Sequence, residues 1–87
     1  MMEVVLTEQF ERSYDRLSGE DREKVRKSLL ELEENPHLPG LGVKKMADRE
    51  NIWEARASRK LRLTFEMAGG AYVLRHVGQH DRVLDNP

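Results

Sequence analysis

Gly69-Gly70 is the feature that most narrows what this chain can become. The pair separates two alternating runs, Leu61 to Met67 and Tyr72 to Val77, and a two-residue primed turn demands positive φ, which glycine adopts without steric cost. A hairpin closed there pairs Ala68 with Ala71 and sets every pairing beyond it. Met67 meets Tyr72, Phe65 meets Leu74 and Leu63 meets His76 on one face, while Glu66/Val73, Thr64/Arg75 and Arg62/Val77 fall on the other. The apolar set makes the first face the core, because a slip of one residue would turn it to solvent. His76 is thereby expected to face the core as a hydrogen-bonded structural histidine. A second reversal pivoting near Arg59 pairs Ala57 with Leu61, Arg56 with Arg62 and Glu54 with Thr64, which adds Trp53, Ala55 and Ala57 to the core face. Glu54, Arg56, Arg62 and Arg75 are then expected to converge on the opposite face. A cluster of guanidinium groups beside a carboxylate is costly to desolvate unless it binds something, and phosphate is its natural counterpart.

Upstream of the strands the period is helical. Met2 to Leu6 suits a short first strand, and Thr7 is a candidate N-cap for a helix carrying Phe10, Tyr14 and Leu17 on one stripe. Ser18-Gly19 interrupts it. Ser18 with Asp21 three residues on resembles a capping box, and Val25, Leu29 and Leu32 line the next helix, which stops near Asn35-Pro36 because a residue before proline disfavours the helical region. Two amphipathic helices joined by so short a turn predict an antiparallel pair. A loop from Pro36 to Gly42 follows, then strands at Val43 to Met46, Ile52 to Ala57 and the hairpin. The expected class is α+β, a two-helix hairpin packed on a twisted, mainly antiparallel sheet of four or five strands, with residues 1–87 forming one domain.

Charge is divided between the halves. Residues 1–40 carry six Lys/Arg against ten Asp/Glu, whereas residues 41–87 carry nine against six, so a formal net charge of −1 conceals a basic strand half. A polyanion would meet the sheet and avoid the helices. There is no cysteine, so neither a disulfide framework nor a thiolate zinc site is available and any metal would rest on the three histidines and the carboxylates. No apolar stretch approaches bilayer length, and Glu3, Glu8 and Glu11 stand where a signal peptide would be basic and then apolar. These features predict a soluble, cytoplasmic protein without a membrane partner.

Taken in order, the short strand, the helical hairpin, the Pro39-Gly40-Leu41 loop, Trp53-Glu54-x-Arg56, Arg62-Leu63-x-Phe65 and the segment with Leu74, His76-Val77-Gly78, His80 and Asp81 resemble the RelE/ParE superfamily of type II toxin-antitoxin toxins. The resemblance implies an α+β sandwich and, for many members, an endoribonuclease that cuts mRNA in the ribosomal A site. That reaction needs no metal or other cofactor and proceeds by attack of the ribose 2′-OH on the adjacent phosphate. By matching positions, Arg62 is the phosphate-stabilising arginine with Arg56 and Arg75 as neighbours. His80 lies close to the C-terminal acid/base, with Glu54 as a base partner. Lys44, Lys45, Arg75 and Asp81 are implied contacts to RNA. A cognate antitoxin is implied as partner, laying an apolar, acidic segment across the sheet and helices. The same likeness admits a ParE-like gyrase poison, or a catalytically weak homologue acting as an antitoxin-binding module. Val83 and Leu84 stand where active nucleases of the family often carry an aromatic residue.

Overall fold

The computed structural model describes residues 2–87, with residues 84 and 85 described by their backbone only. In chain order the elements are β1 (Glu3–Leu6), α1 (Glu8–Asp15), α2 (Gly19–Glu34), a 3₁₀ turn at Pro39–Leu41, β2 (Lys44–Lys45), β3 (Trp53–Arg56), β4 (Leu61–Ala68), β5 (Ala71–Gln79) and α3 (His80–Asp85). The strands form one sheet in the order β1-β5-β4-β3-β2, antiparallel throughout except for the parallel β1/β5 pair. This is the α+β class expected, with five strands. Among the described residues no helix is long and apolar enough to cross a membrane.

Local chemistry sets the helix starts. Thr7 Oγ1 accepts from the Phe10 amide at 3.1 Å and Ser18 Oγ from the Asp21 amide at 3.1 Å, each satisfying a donor that the first turn leaves without an intrahelical partner. α2 ends at Asn35, whose extended backbone precedes Pro36. Phe10 from α1 and Val25 and Leu32 from α2 bury against Ala55, Leu61, Leu63, Phe65, Tyr72, Leu74 and Val77 on one sheet face, with Tyr14, Leu17, Leu29, Trp53 and Met67 packed around them. The helical stripes and the core face of β3 and β4 are those the sequence pattern assigns. Phe65 and Tyr72 meet edge to face at 5.4 Å between centroids.

The hairpin register holds from Ala68/Ala71 to Phe65/Leu74 and then shifts. A bulge between Thr64 and Phe65 on the β4 side leaves Arg75 without a partner, so Thr64 pairs with His76, Leu63 with Val77 and Arg62 with Gly78. The expected pairs Leu63/His76, Thr64/Arg75 and Arg62/Val77 are therefore corrected. Val77, not His76, fills the core below Leu63. The cause is apolar selection: with the extra residue accommodated at Arg75, a valine is buried where an imidazole would have had to be.

β1 pairs with β5 only as far as Leu74. Beyond that point α1 takes over the open edge with three polar side chains. Thr7 Oγ1 donates to Leu74 O at 2.7 Å, Gln9 Nε2 donates to Arg75 O at 3.3 Å, and Ser13 Oγ accepts from the Val77 amide at 3.1 Å. Backbone groups that lost a strand partner thus regain one. Gln9 Nε2 lies 2.7 Å from His76 Nε2, and because the amide nitrogen only donates, the ring must accept there, which places its proton on Nδ1.

Two predictions come from this arrangement. Ser18→Ala should cost about 1 kcal/mol of stability, read as a lowered urea midpoint at unchanged slope. Burial, and secondarily the charge of Arg75, hold His76 below the ordinary histidine range, so the fold favours the neutral ring. Its contribution is complete above the unfolded value of about 6.5 and is lost as pH falls toward the lower folded value. Thermal melts between pH 7.5 and 5 should show stability falling on acidification, with a shallower fall in His76→Gln.

Candidate nucleic-acid interface

On the sheet face away from α1 and α2, Arg62, Thr64 and Glu66 follow one another along β4, with Glu54 and Arg56 beside them on β3. This face is not open along its length. α3 crosses it, and its Val83 is buried over Gly78, close enough that a Cβ on Gly78 would stand 3.1 Å from Val83 Cγ2. The sequence reading placed no helix here, since His80–Asp85 is too short to show a period and Gln79 makes no side-chain cap. Burial of Val83 holds it, together with a 2.8 Å bond from the His80 amide to Lys60 O that ties the helix start to the β3–β4 turn.

Where α3 leaves β5, Arg59, Lys60, Arg62, Gln79, His80 and Asp81 line a shallow cleft of about 370 Å³. Arg62 reaches it with a guanidinium steadied from below, its Nη1 donating to Ser58 O at 2.8 Å and Leu61 O at 3.1 Å. Among the described residues no carboxylate lies within 4.0 Å of Arg62, although Asp81 lines the same cleft. His80 is about half exposed, and its Nδ1 lies 3.2 Å from Oδ1 of the fully exposed Asp81. That contact, when Nδ1 carries the proton, directs Nε2 elsewhere. Lys60, Arg59 and Gln79 are members the sequence reading did not single out; the two adjacent cations in the turn before β4 were the available signal.

The other expected site residues are spread along the face. Arg75 lies on it, but its guanidinium is engaged at both ends, by Glu66 Oε1 at 3.0 Å from Nη1 and by the Pro87 main-chain oxygen at 3.0 Å from Nε. Thr64, fully buried, donates to that same oxygen at 3.1 Å. Glu54 is 7% exposed beside Thr64 and does not line the Arg62–His80 cleft. Arg56 runs past Gly42 and lines a separate cleft with Lys24, Lys27, Gly40 and Arg59. Register settles the two lysines of β2: Lys44 lies opposite Glu54 and shares the arginine face, whereas Lys45 lies opposite Trp53 on the core side. The expected meeting of four charged residues thus resolves into an Arg62–His80 cleft, an Arg75–Thr64–Glu66 group two residues along β4, and an outlying Arg56. The side chain of Leu84, one of the two residues expected in place of an aromatic, lies outside the described residues. No group of three or more potential metal ligands gathers among the described residues.

A guanidinium held by main-chain oxygens, with an imidazole, a lysine and the Asp81 carboxylate around one cleft, can bind a phosphodiester and exchange a proton with it. No protein-family sequence model matches the chain, and no curated protein sequence matches it. Solved structures do. The chain superposes on the toxin fold seen in the RelB-RelE antitoxin-toxin complex from Methanococcus jannaschii with a TM-score of 0.74 at 18% identity, covering 95% of this chain and 98% of that one. It is similar to YafQ from E. coli (TM-score 0.77, 11% identity, 95% and 98% covered) and to a chain of the intact E. coli RelBE toxin-antitoxin complex (0.70, 18%, 91% and 96%). At such identities the agreement is one of architecture, and it extends over nearly the whole of each chain: the fold is that of the RelE-type toxins.

Proposed function

We propose that the chain is the toxin of a type II toxin-antitoxin pair and acts as a metal-independent endoribonuclease on mRNA, engaged on the ribosome in the cytoplasm and silenced by a cognate antitoxin. The observation that carries this reading is the cleft that joins Arg62 to His80. Attack of a ribose 2′-OH on the adjacent phosphorus passes the hydroxyl proton to a solvent water in the open cleft, forms a 2′,3′-cyclic phosphate and breaks the bond to the 5′ oxygen. Charge grows on the non-bridging oxygens as it does so, and Arg62, which has no carboxylate within 4.0 Å among the described residues, stands ready to receive it. The departing 5′ oxygen needs a proton. His80, half exposed and with its Nδ1 against Asp81, is the side chain in the cleft that supplies it. Lys60 and Arg59 add charge that holds the strand in place, and Lys44 extends the same face toward β2. The structural likeness to toxins solved with their antitoxins supports the expectation of a protein partner, for which the basic face is a complementary surface.

Expression without the antitoxin should arrest growth with rapid loss of mRNA, and mapping of RNA 5′ ends should reveal discrete cuts. Arg62→Ala should lower the cleavage rate by about 10²–10³-fold and His80→Ala by about 10²–10⁴-fold, with circular dichroism unchanged. Arrest with double-strand DNA breaks and intact mRNA would instead establish a gyrase poison. Absence of arrest together with tight antitoxin binding would leave the chain a binding module.

A further inference from the structure

The Arg62–His80 cleft leaves unexplained a second gathering of donors on the same face. Thr64 Oγ1 and Arg75 Nε both point at one acceptor, the main-chain oxygen of Pro87, at 3.1 and 3.0 Å. Thr64 is wholly buried, and Glu66 holds the far end of the Arg75 guanidinium at 3.0 Å, so the two donors are aimed by their surroundings. A hydroxyl and a guanidinium converging on a single oxygen form a receptor that favours an anionic acceptor, because charge-assisted hydrogen bonds are about twice as strong as neutral ones. The receptor's position suits a nucleic-acid strand. Thr64 follows Arg62 by two residues on the same face of β4, about 7 Å along the strand. A chain of phosphates entering the cleft at Arg62 would therefore run directly toward it.

We propose that Thr64 and Arg75 form a second phosphate-oxygen subsite, held by the Pro87 oxygen until RNA displaces residues 86–87 from the sheet. This rests on the ribonuclease reading for the identity of the ligand, while the receptor itself rests on the geometry. Displacement is local. After α3 the segment is tied back by the 3.3 Å bond from the Asn86 amide to Arg82 O, and the Thr64 and Arg75 bonds together with the burial of Pro87 hold its end on the face.

The test uses the whole chain and a fluorescein-labelled 2′-O-methyl RNA oligonucleotide, which binds but cannot be cleaved, followed by anisotropy at fixed salt. Arg75→Gln is expected to weaken binding about tenfold and Thr64→Val several-fold. Removing residues 86–87 is expected to tighten binding by a similar factor, a gain that Thr64→Val abolishes. If Arg75→Gln and Thr64→Val both leave affinity within about twofold while Arg62→Ala weakens it, the Pro87 contact is only a structural tie and the subsite is refuted. A second readout separates the two levels of the argument: inorganic phosphate is titrated into the intact chain while the Arg75 Nε–H resonance is followed by NMR. A saturable shift lost in Thr64→Val supports the receptor, and no shift overturns it whatever the fate of the nuclease reading. A phosphate response without RNA binding keeps the receptor and removes RNA as its ligand.

Discussion

The β4/β5 register is the constraint on which the rest of this molecule depends. Because side chains alternate across a strand, the pairing that begins at Ala68/Ala71 decides residue by residue what is buried and what is offered to a ligand. One extra residue at Arg75 resets that decision halfway along. Without it His76 would lie under Leu63 and Val77 would be turned outward beside Arg62. With it the core gains a valine, Arg62 gains Gly78 as its neighbour, and the absence of a side chain at Gly78 lets Val83 settle there. The bulge thus places α3, and α3 places His80 at the cleft.

Much of this was legible in the residues because it depends on local period and turn chemistry. The Thr7 and Ser18 caps, the two helical stripes, the glycine turn and the β3/β4 pairing through Arg56/Arg62 all follow from signals within a few residues of each other. What escaped were features decided by packing at a distance. Nothing in Arg75-His76 announces a bulge, since accommodating either residue depends on which of His76 and Val77 the helices opposite can bury. α3 is invisible for a similar reason: its six residues have too little intrinsic helicity to show, and Val83 becomes apolar anchorage only once Gly78 is beneath it.

The site shows the same division. Sequence pattern placed Arg62 and Arg75 on one face correctly, yet could not foresee how each guanidinium would be occupied. Arg62 is tied to main-chain oxygens of its own turn, whereas Arg75 is held between Glu66 and the Pro87 oxygen. Arg56 occupies the right register position and still leaves the group, because a long side chain at the end of a short strand is free to follow the loop at Gly42. Strand position therefore locates a charge to within the length of an arginine and no better.

The parallel pairing of β1 with β5 carries a consequence for how the chain comes into being. Residues 3–6 find their partners only at residues 71–74, so the sheet cannot be completed until nearly all the intervening polypeptide has been made. Contacts of such large sequence separation are slow to form and reward the chain late, whereas α1 and α2 can begin to organise as soon as they emerge. A nascent chain would thus spend most of its synthesis as a helical pair with an unclaimed first strand. The surface that carries Arg62 and His80 would assemble only once β5 can pair with both β1 and β4, after the two helices have already formed.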